Sequence, residues 1–142
     1  MQLKSVIVAA KRTPIGSFQG QLSSLTASDL ASHLIINIMR DLDIPADAVD
    51  EVILGNVLSA GQGQSPARQA AIKGGLPNTV ETLTINKMCG SGLKAIMLAD
   101  QAIKSNSADI IIAGGMESMS NAPHILQNFR TGNKLGHSKV ID

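Results

Sequence analysis

The stretch Asn86-Lys87-Met88-Cys89-Gly90-Ser91-Gly92 holds the only cysteine of the chain, set between a strand-like run and two glycines. A thiol where a helix opens can act as a nucleophile. Unpaired amides and the positive end of the helix dipole favour the thiolate, so such a cysteine can titrate well below its reference value of about 8.5. The same amides can hold an oxyanion. Glycines at 90 and 92 weaken a helix start by roughly 1 kcal/mol each relative to alanine. That cost has a use if side chains must be kept away from the sulfur so that a substrate or a second backbone can approach. The plainer reading is that a free cysteine, one of the most often buried residue types, fills a core as a small hydrophobe. Comparison with the G-x-S-x-G turn of serine hydrolases fails, because Lys87 stands where the first glycine belongs.

The elements that must position this cysteine can be read from periodicity. Four short apolar runs bounded by turn residues predict strands at Val6 to Ala10, Glu51 to Leu58, Thr82 to Asn86 and Asp109 to Gly115. A helix is predicted from about Thr26 to Asp41, opened by a Thr26-x-x-Asp29 capping box, with Leu30, Leu34, Ile35, Ile38 and Met39 at core spacing. A shorter one covers Ser65 to Lys73, started by Ser65-Pro66 and stopped by Gly74-Gly75. The third begins near Cys89 and ends around Lys104. Its apolar residues cover most of the circumference, with only Lys94 and Gln101 on a clearly polar stripe, so it is expected to be buried on nearly all sides. Alternation of strand and helix predicts an α/β fold with helices on both faces of a layered sheet. Cys89 then falls just past a strand's carboxyl end, where open α/β sheets gather their ligands. Beyond Ser118 the pattern weakens to an irregular tail with one weak helical stretch around His124 to Phe129, which points to a continuation past Asp142.

Composition narrows the function classes. With 142 residues, 44% of them hydrophobic and 16% charged, the chain has the makeup of one globular domain. The net charge of +1 is spread without a basic run, and two Phe with no Trp or Tyr leave no stacking platform, so nucleic acid and anionic membranes are not expected partners. One cysteine, no glycosylation sequon and an N-terminal apolar stretch too short for a signal peptide or membrane span fit the cytoplasm. Acidic residues show neither a catalytic pairing nor metal-ligand spacing. His33, His124 and His137 read as surface or loop histidines, Gly61-Gln62-Gly63 and Arg12-Thr13-Pro14 as turns, and Glu117 as a local hydrogen-bonding residue.

Asn86 to Ile103, followed by "ADIIIAGGMESMSNAPH", resembles the thiolase family (acetyl-CoA C-acetyltransferases and 3-ketoacyl-CoA thiolases). "AAKRTPIGSFQGQL" and "GQGQSPARQAAIKGGLP" match the same family in the same order, so the resemblance runs from about residue 3 to the end. It implies a thiolase-like half domain over residues 1–118, lacking its final strand, and the truncated start of a loop domain over 119–142. The implied activity is acyl transfer between coenzyme A thioesters, as in fatty-acid metabolism, with Cys89 acylated in a ping-pong scheme and its backbone N–H forming half of an oxyanion hole. Acetyl-CoA and 3-ketoacyl-CoA would be substrates, with no separate cofactor and no metal.

The chain departs from the family pattern in carrying only its first motif block. No second cysteine supplies the later C-x-G base, and His137 sits in Gly136-His137-Ser138 where the family motif has Gly-His-Pro. The isolated chain is therefore expected not to turn over. The remainder of a thiolase chain, a complementary C-terminal chain, or further copies in a dimer or tetramer are the partners expected. A ketoacyl-synthase-like condensing enzyme and a non-catalytic assembly subunit are the alternatives.

Overall fold

A computed structural model describes residues 4–142. Helix α1 spans Ala27–Leu42, strand β1 Glu51–Gly55, helix α2 Pro66–Lys73, strand β2 Glu81–Ile85, helix α3 Ser91–Lys104 and strand β3 Ile111–Gly115. Two-residue strands β4 (Ile125–Leu126) and β5 (Val140–Ile141) follow.

The three longer strands form one parallel sheet with β1 in the middle, and in register Gly55 stands beside both Ile85 and Gly115. Their carboxyl ends therefore finish level. Side chains of β1 alternate between two cores: Val52 and Leu54 pack with Ala31, Ile35, Ala67, Ala70 and Ala71 of α1 and α2, while Ile53 packs with Ala95 and Ala99 of α3. That alternation is what a parallel strand covered on both sides requires. The expected α/β architecture, with helices on both faces, is what the chain adopts.

Local signals explain the first helix. Thr26 accepts from the Asp29 N–H at 3.2 Å while Asp29 accepts from the Thr26 N–H at 3.0 Å, a complete capping box. Lys73 of α2 reaches Asp29 at 2.6 Å, which joins the two helices over the sheet.

Three expectations are corrected. Residues Val6 to Ala10 form no strand: Val6, Ile7 and Val8 are 75%, 80% and 70% exposed, and the segment is held by Ser5 donating to Asp100 and by a Lys11–Asp41 ion pair. A strand needs a neighbour for its ladder, and none among the described residues lies beside this one. Helix α3 is buried on one face only. Ser91, Ala95 and Ala99 face inward, whereas Leu93, Ile96 and Met97 are exposed because nothing among the described residues packs over them. Finally, His124 to Asn128 is not helical, and only a single 3-10 turn, Phe129–Thr131, follows it. Ile125–Leu126 pairs antiparallel with Val140–Ile141 instead, closing the tail into a small hairpin. No helix among the described residues is long and apolar enough to cross a membrane.

Candidate active site

Asn56, Asn86 and Met116 leave the level ends of β1, β2 and β3, and the chain ends are stitched together there: the Asn56 N–H donates to Ile85 O and the Met116 N–H to Gly55 O. Between them opens a cleft of about 410 Å³. Gly55, Gly92 and Gly115, the corner residues Met88, Cys89 and Ser91, and Arg12, Val57 and Glu117 are among the residues that line it. A second hollow of about 360 Å³ lies by the β4–β5 hairpin, but its lining from Gln127 to Ile141 includes no cysteine, histidine or carboxylate. Chemistry is therefore sought at the first.

Cys89 is exposed. The expected hydrocarbon burial of a lone cysteine does not apply to it. It stands one residue before Gly90, the N-cap of α3, so it lies just outside the helix and not within its first turn. The reason is a tight corner built before the helix begins. Met88 adopts a left-handed backbone, φ 49°, and the Ser91 hydroxyl accepts from the Lys87 N–H at 2.8 Å while donating to Met88 O at 2.6 Å. Gly90 and Ser91 N–H groups turn back onto Lys87 O and Met88 O, both at 3.1 Å. The Cys89 N–H, by contrast, has no acceptor among the described residues. A nucleophile and an uncommitted donor thus sit on the same residue at a helix start, an arrangement suited to an acyl carbon attacked by sulfur with its oxygen held by the amide.

The glycine that geometry demands is Gly55, which sequence did not single out. A Cβ built there would lie 2.5 Å from Ser91 Cβ and 2.7 Å from Ser91 C, so only glycine lets the sheet and the cysteine corner touch. Gly92, by comparison, would place a Cβ 3.5 Å from Gly115 N, an ordinary contact. Its bare Cα is not required by packing in this chain, and it lines the cleft.

Glu117 is a hub, beyond the local role expected of it. Its carboxylate accepts from Asn56 Nδ2 at 2.8 Å and from the Val57 and Leu58 N–H groups at 2.9 and 3.3 Å, tying the β3 exit to the β1 exit. Asn56, 2% exposed, also donates to Met116 O and accepts from Gln62 Nε2. Arg12, read from sequence as a turn residue, supplies the one cationic side chain of the cleft lining. The only available signal for it was its place just after an apolar run. His33, His124 and His137 are exposed, and none lines the cleft.

The family model described as "Thiolase, N-terminal domain" matches residues 5–142. Among curated relatives, the "Probable acetyl-CoA acetyltransferase" of Escherichia coli (strain K12) is 58% identical over 137 residues, which is 96% of this chain and 35% of the relative. An "Acetyl-CoA acetyltransferase" of Pseudomonas aeruginosa and a "Probable acetyl-CoA acyltransferase" of Staphylococcus aureus are each 53% identical over the same shares. The chain thus spans about a third of the length of the relatives it matches.

Proposed function

The chain belongs to the thiolase family, and from that premise we propose that it carries the acyl-accepting half of an acyltransferase acting on coenzyme A thioesters, with Cys89 as the nucleophile. The observation that carries this reading is an exposed thiol whose own N–H is uncommitted, lining a cleft that three glycines also line. In the proposed step the Cys89 thiolate adds to the thioester carbonyl. The resulting oxyanion takes a hydrogen bond from the Cys89 N–H, the carbon–sulfur bond to coenzyme A breaks, and coenzyme A leaves as its thiolate, which takes a proton from solvent. The product is an S-acyl-Cys89.

Completing the cycle requires either a coenzyme A thiol to attack the acyl-cysteine or an acetyl-CoA α-carbon to do so after losing its proton to a base. The cleft lining offers no second thiol or histidine for that base, and its one carboxylate is committed to the Val57 and Leu58 amides. We therefore assign the second half-reaction to a complementary segment or chain that covers α3, and we read residues 119–142 as the beginning of the loop region preceding it.

The test is intact-mass spectrometry after incubation with acetyl-CoA. The reading expects one acetyl group on the wild-type chain and none on Cys89→Ala, with negligible thiolysis of acetoacetyl-CoA by the chain alone. Absence of an adduct on wild-type protein would favour a non-catalytic assembly subunit, which has no need of an activated thiol.

A further inference from the structure

Met88 occupies a left-handed conformation that an unbranched L-residue adopts only when its surroundings hold it there. The next residue, Cys89, lines the cleft. What holds Met88 leads away from the cysteine: Asn86 Oδ1 accepts from the Met88 N–H at 2.9 Å, and Asn86 Nδ2 reaches Val57 O at 3.4 Å. The two bonds fix the orientation of the amide. Turned over, it would set its NH2 against the Met88 N–H and its oxygen against the Val57 carbonyl, two like-to-like contacts.

The Val57 carbonyl is itself aimed. It shares a peptide plane with the Leu58 N–H and points the opposite way, and Glu117 grips the N–H groups of both Val57 and Leu58. A carboxylate accepting on one side of that peptide polarises the carbonyl on the other.

We propose that Asn86 is a positioning residue for Cys89, bridging the Val57 carbonyl to the Met88 N–H so that the β1 exit, braced by Glu117, sets the direction of the thiol. The proposal rests on the reading of Cys89 as the nucleophile. Because the Asn86 side chain is exposed, its packing contributes little, and the bridge is what a substitution removes.

The test is the rate of Cys89 alkylation by iodoacetamide in wild-type, Asn86→Ala and Asn86→Ser chains, with thermal unfolding recorded on each. Loss of the helix-start environment slows Asn86→Ala about two- to fivefold. Asn86→Ser recovers only part of the rate, since its hydroxyl can accept from the N–H two residues on but brings no amide to the Val57 carbonyl. Alkylation of Asn86→Ala at the wild-type rate overturns the positioning role and leaves the nucleophile reading intact. A serine variant as fast as wild type also overturns it, since the Val57 arm of the bridge then does not matter. Wild-type Cys89 reacting no faster than in the urea-unfolded chain overturns both readings together. If Asn86→Ala does not fold, Asn86→Gln carries the test: its longer amide cannot span both partners, so it is expected to be slow, and a wild-type rate in it overturns the proposal.

Discussion

Gly55→Ala isolates the contact on which the geometry of the cleft depends. The added methyl would meet Ser91 Cβ at 2.5 Å, Ser91 C at 2.7 Å and Gly92 N at 2.8 Å, whereas non-bonded carbons settle at about 3.5–4.0 Å. Roughly 1 Å of displacement is needed. Two of the three atoms are backbone, so no rotamer change provides it. Strand β1 cannot yield easily, because it is hydrogen-bonded on both sides and Gly55 O accepts from the Met116 N–H at 2.9 Å. The movement falls on the start of α3, stretching the Ser91 hydroxyl bonds that shape the Cys89 corner. Overpacking of this kind costs about 3 kcal/mol, the upper end of the usual range, which at an m-value of about 2 kcal/mol per molar lowers the urea midpoint by about 1.5 M. A misplacement of about 1 Å at a reacting atom slows its chemistry on the order of a hundredfold, read here as the rate of acetyl-Cys89 formation. Urea unfolding followed by circular dichroism and timed intact-mass measurements give both numbers. A variant within about 0.5 kcal/mol of wild type that acylates at the wild-type rate would refute the reasoning, since the close approach would then not constrain the corner.

Gly92→Ala should behave in the opposite sense. Its methyl meets only ordinary contacts, so helix propensity raises stability by up to about 1 kcal/mol, while crowding of the cleft it lines slows acylation by acetyl-CoA more than alkylation by iodoacetamide. Asp29 is held down to about 2 from 3.8, first by the Lys73 ammonium and then by the Thr26 hydroxyl and N–H. Its contribution is complete above pH about 4 and lost as pH falls toward about 2. Asp29→Asn should therefore lower the thermal midpoint at pH 6 and lose most of that difference by pH 2, the difference at pH 6 being kept to about 1 kcal/mol because the carboxylate is one-third exposed and screened. Leu93, Ile96 and Met97 together with Val6 to Val8 leave apolar surface uncovered. Sedimentation should show association that Leu93→Glu with Ile96→Lys weakens, and a clean wild-type monomer at high concentration would count against it.

How much could be read in advance follows the range of the interaction. The capping box of Thr26 and Asp29 closes within four residues and was legible, as were the bounds of α2 to within a residue and the presence of the three longer strands, because turn residues and apolar runs mark them locally, although the run Glu51 to Leu58 stops as a strand at Gly55. Cys89 was legible as a residue type in its setting. Its place one step outside the helix was not, since that depends on Met88 entering a left-handed conformation under the Ser91 and Asn86 bonds. Gly55 and Glu117 act on partners distant in sequence, and no spacing rule reports such contacts. The run Val6 to Ala10 has the composition of a strand, yet a strand is a relation between two segments and the described residues supply only one.

The two faces of α3 bear on how the proposed reaction divides. Its inner face is made of Ala95 and Ala99, small enough to bring the helix close to Ile53, and this sets the Cys89 corner at the level ends of the strands. Its outer face begins at Leu93, one residue past the cleft-lining Gly92, and continues through Ile96 and Met97 without cover. Whatever shields that face therefore starts one residue from the cleft lining, close to where a base for the second half-reaction would have to stand. On the proposed reading the two deficits are one: the surface that lacks packing and the site that lacks a base are completed by the same partner. Acylation by acetyl-CoA and its reversal by coenzyme A need only groups this chain already holds, whereas transfer of the acyl group to an acetyl-CoA α-carbon needs the partner's base, so with excess acetyl-CoA the isolated chain should accumulate acetyl-Cys89 and form no acetoacetyl-CoA.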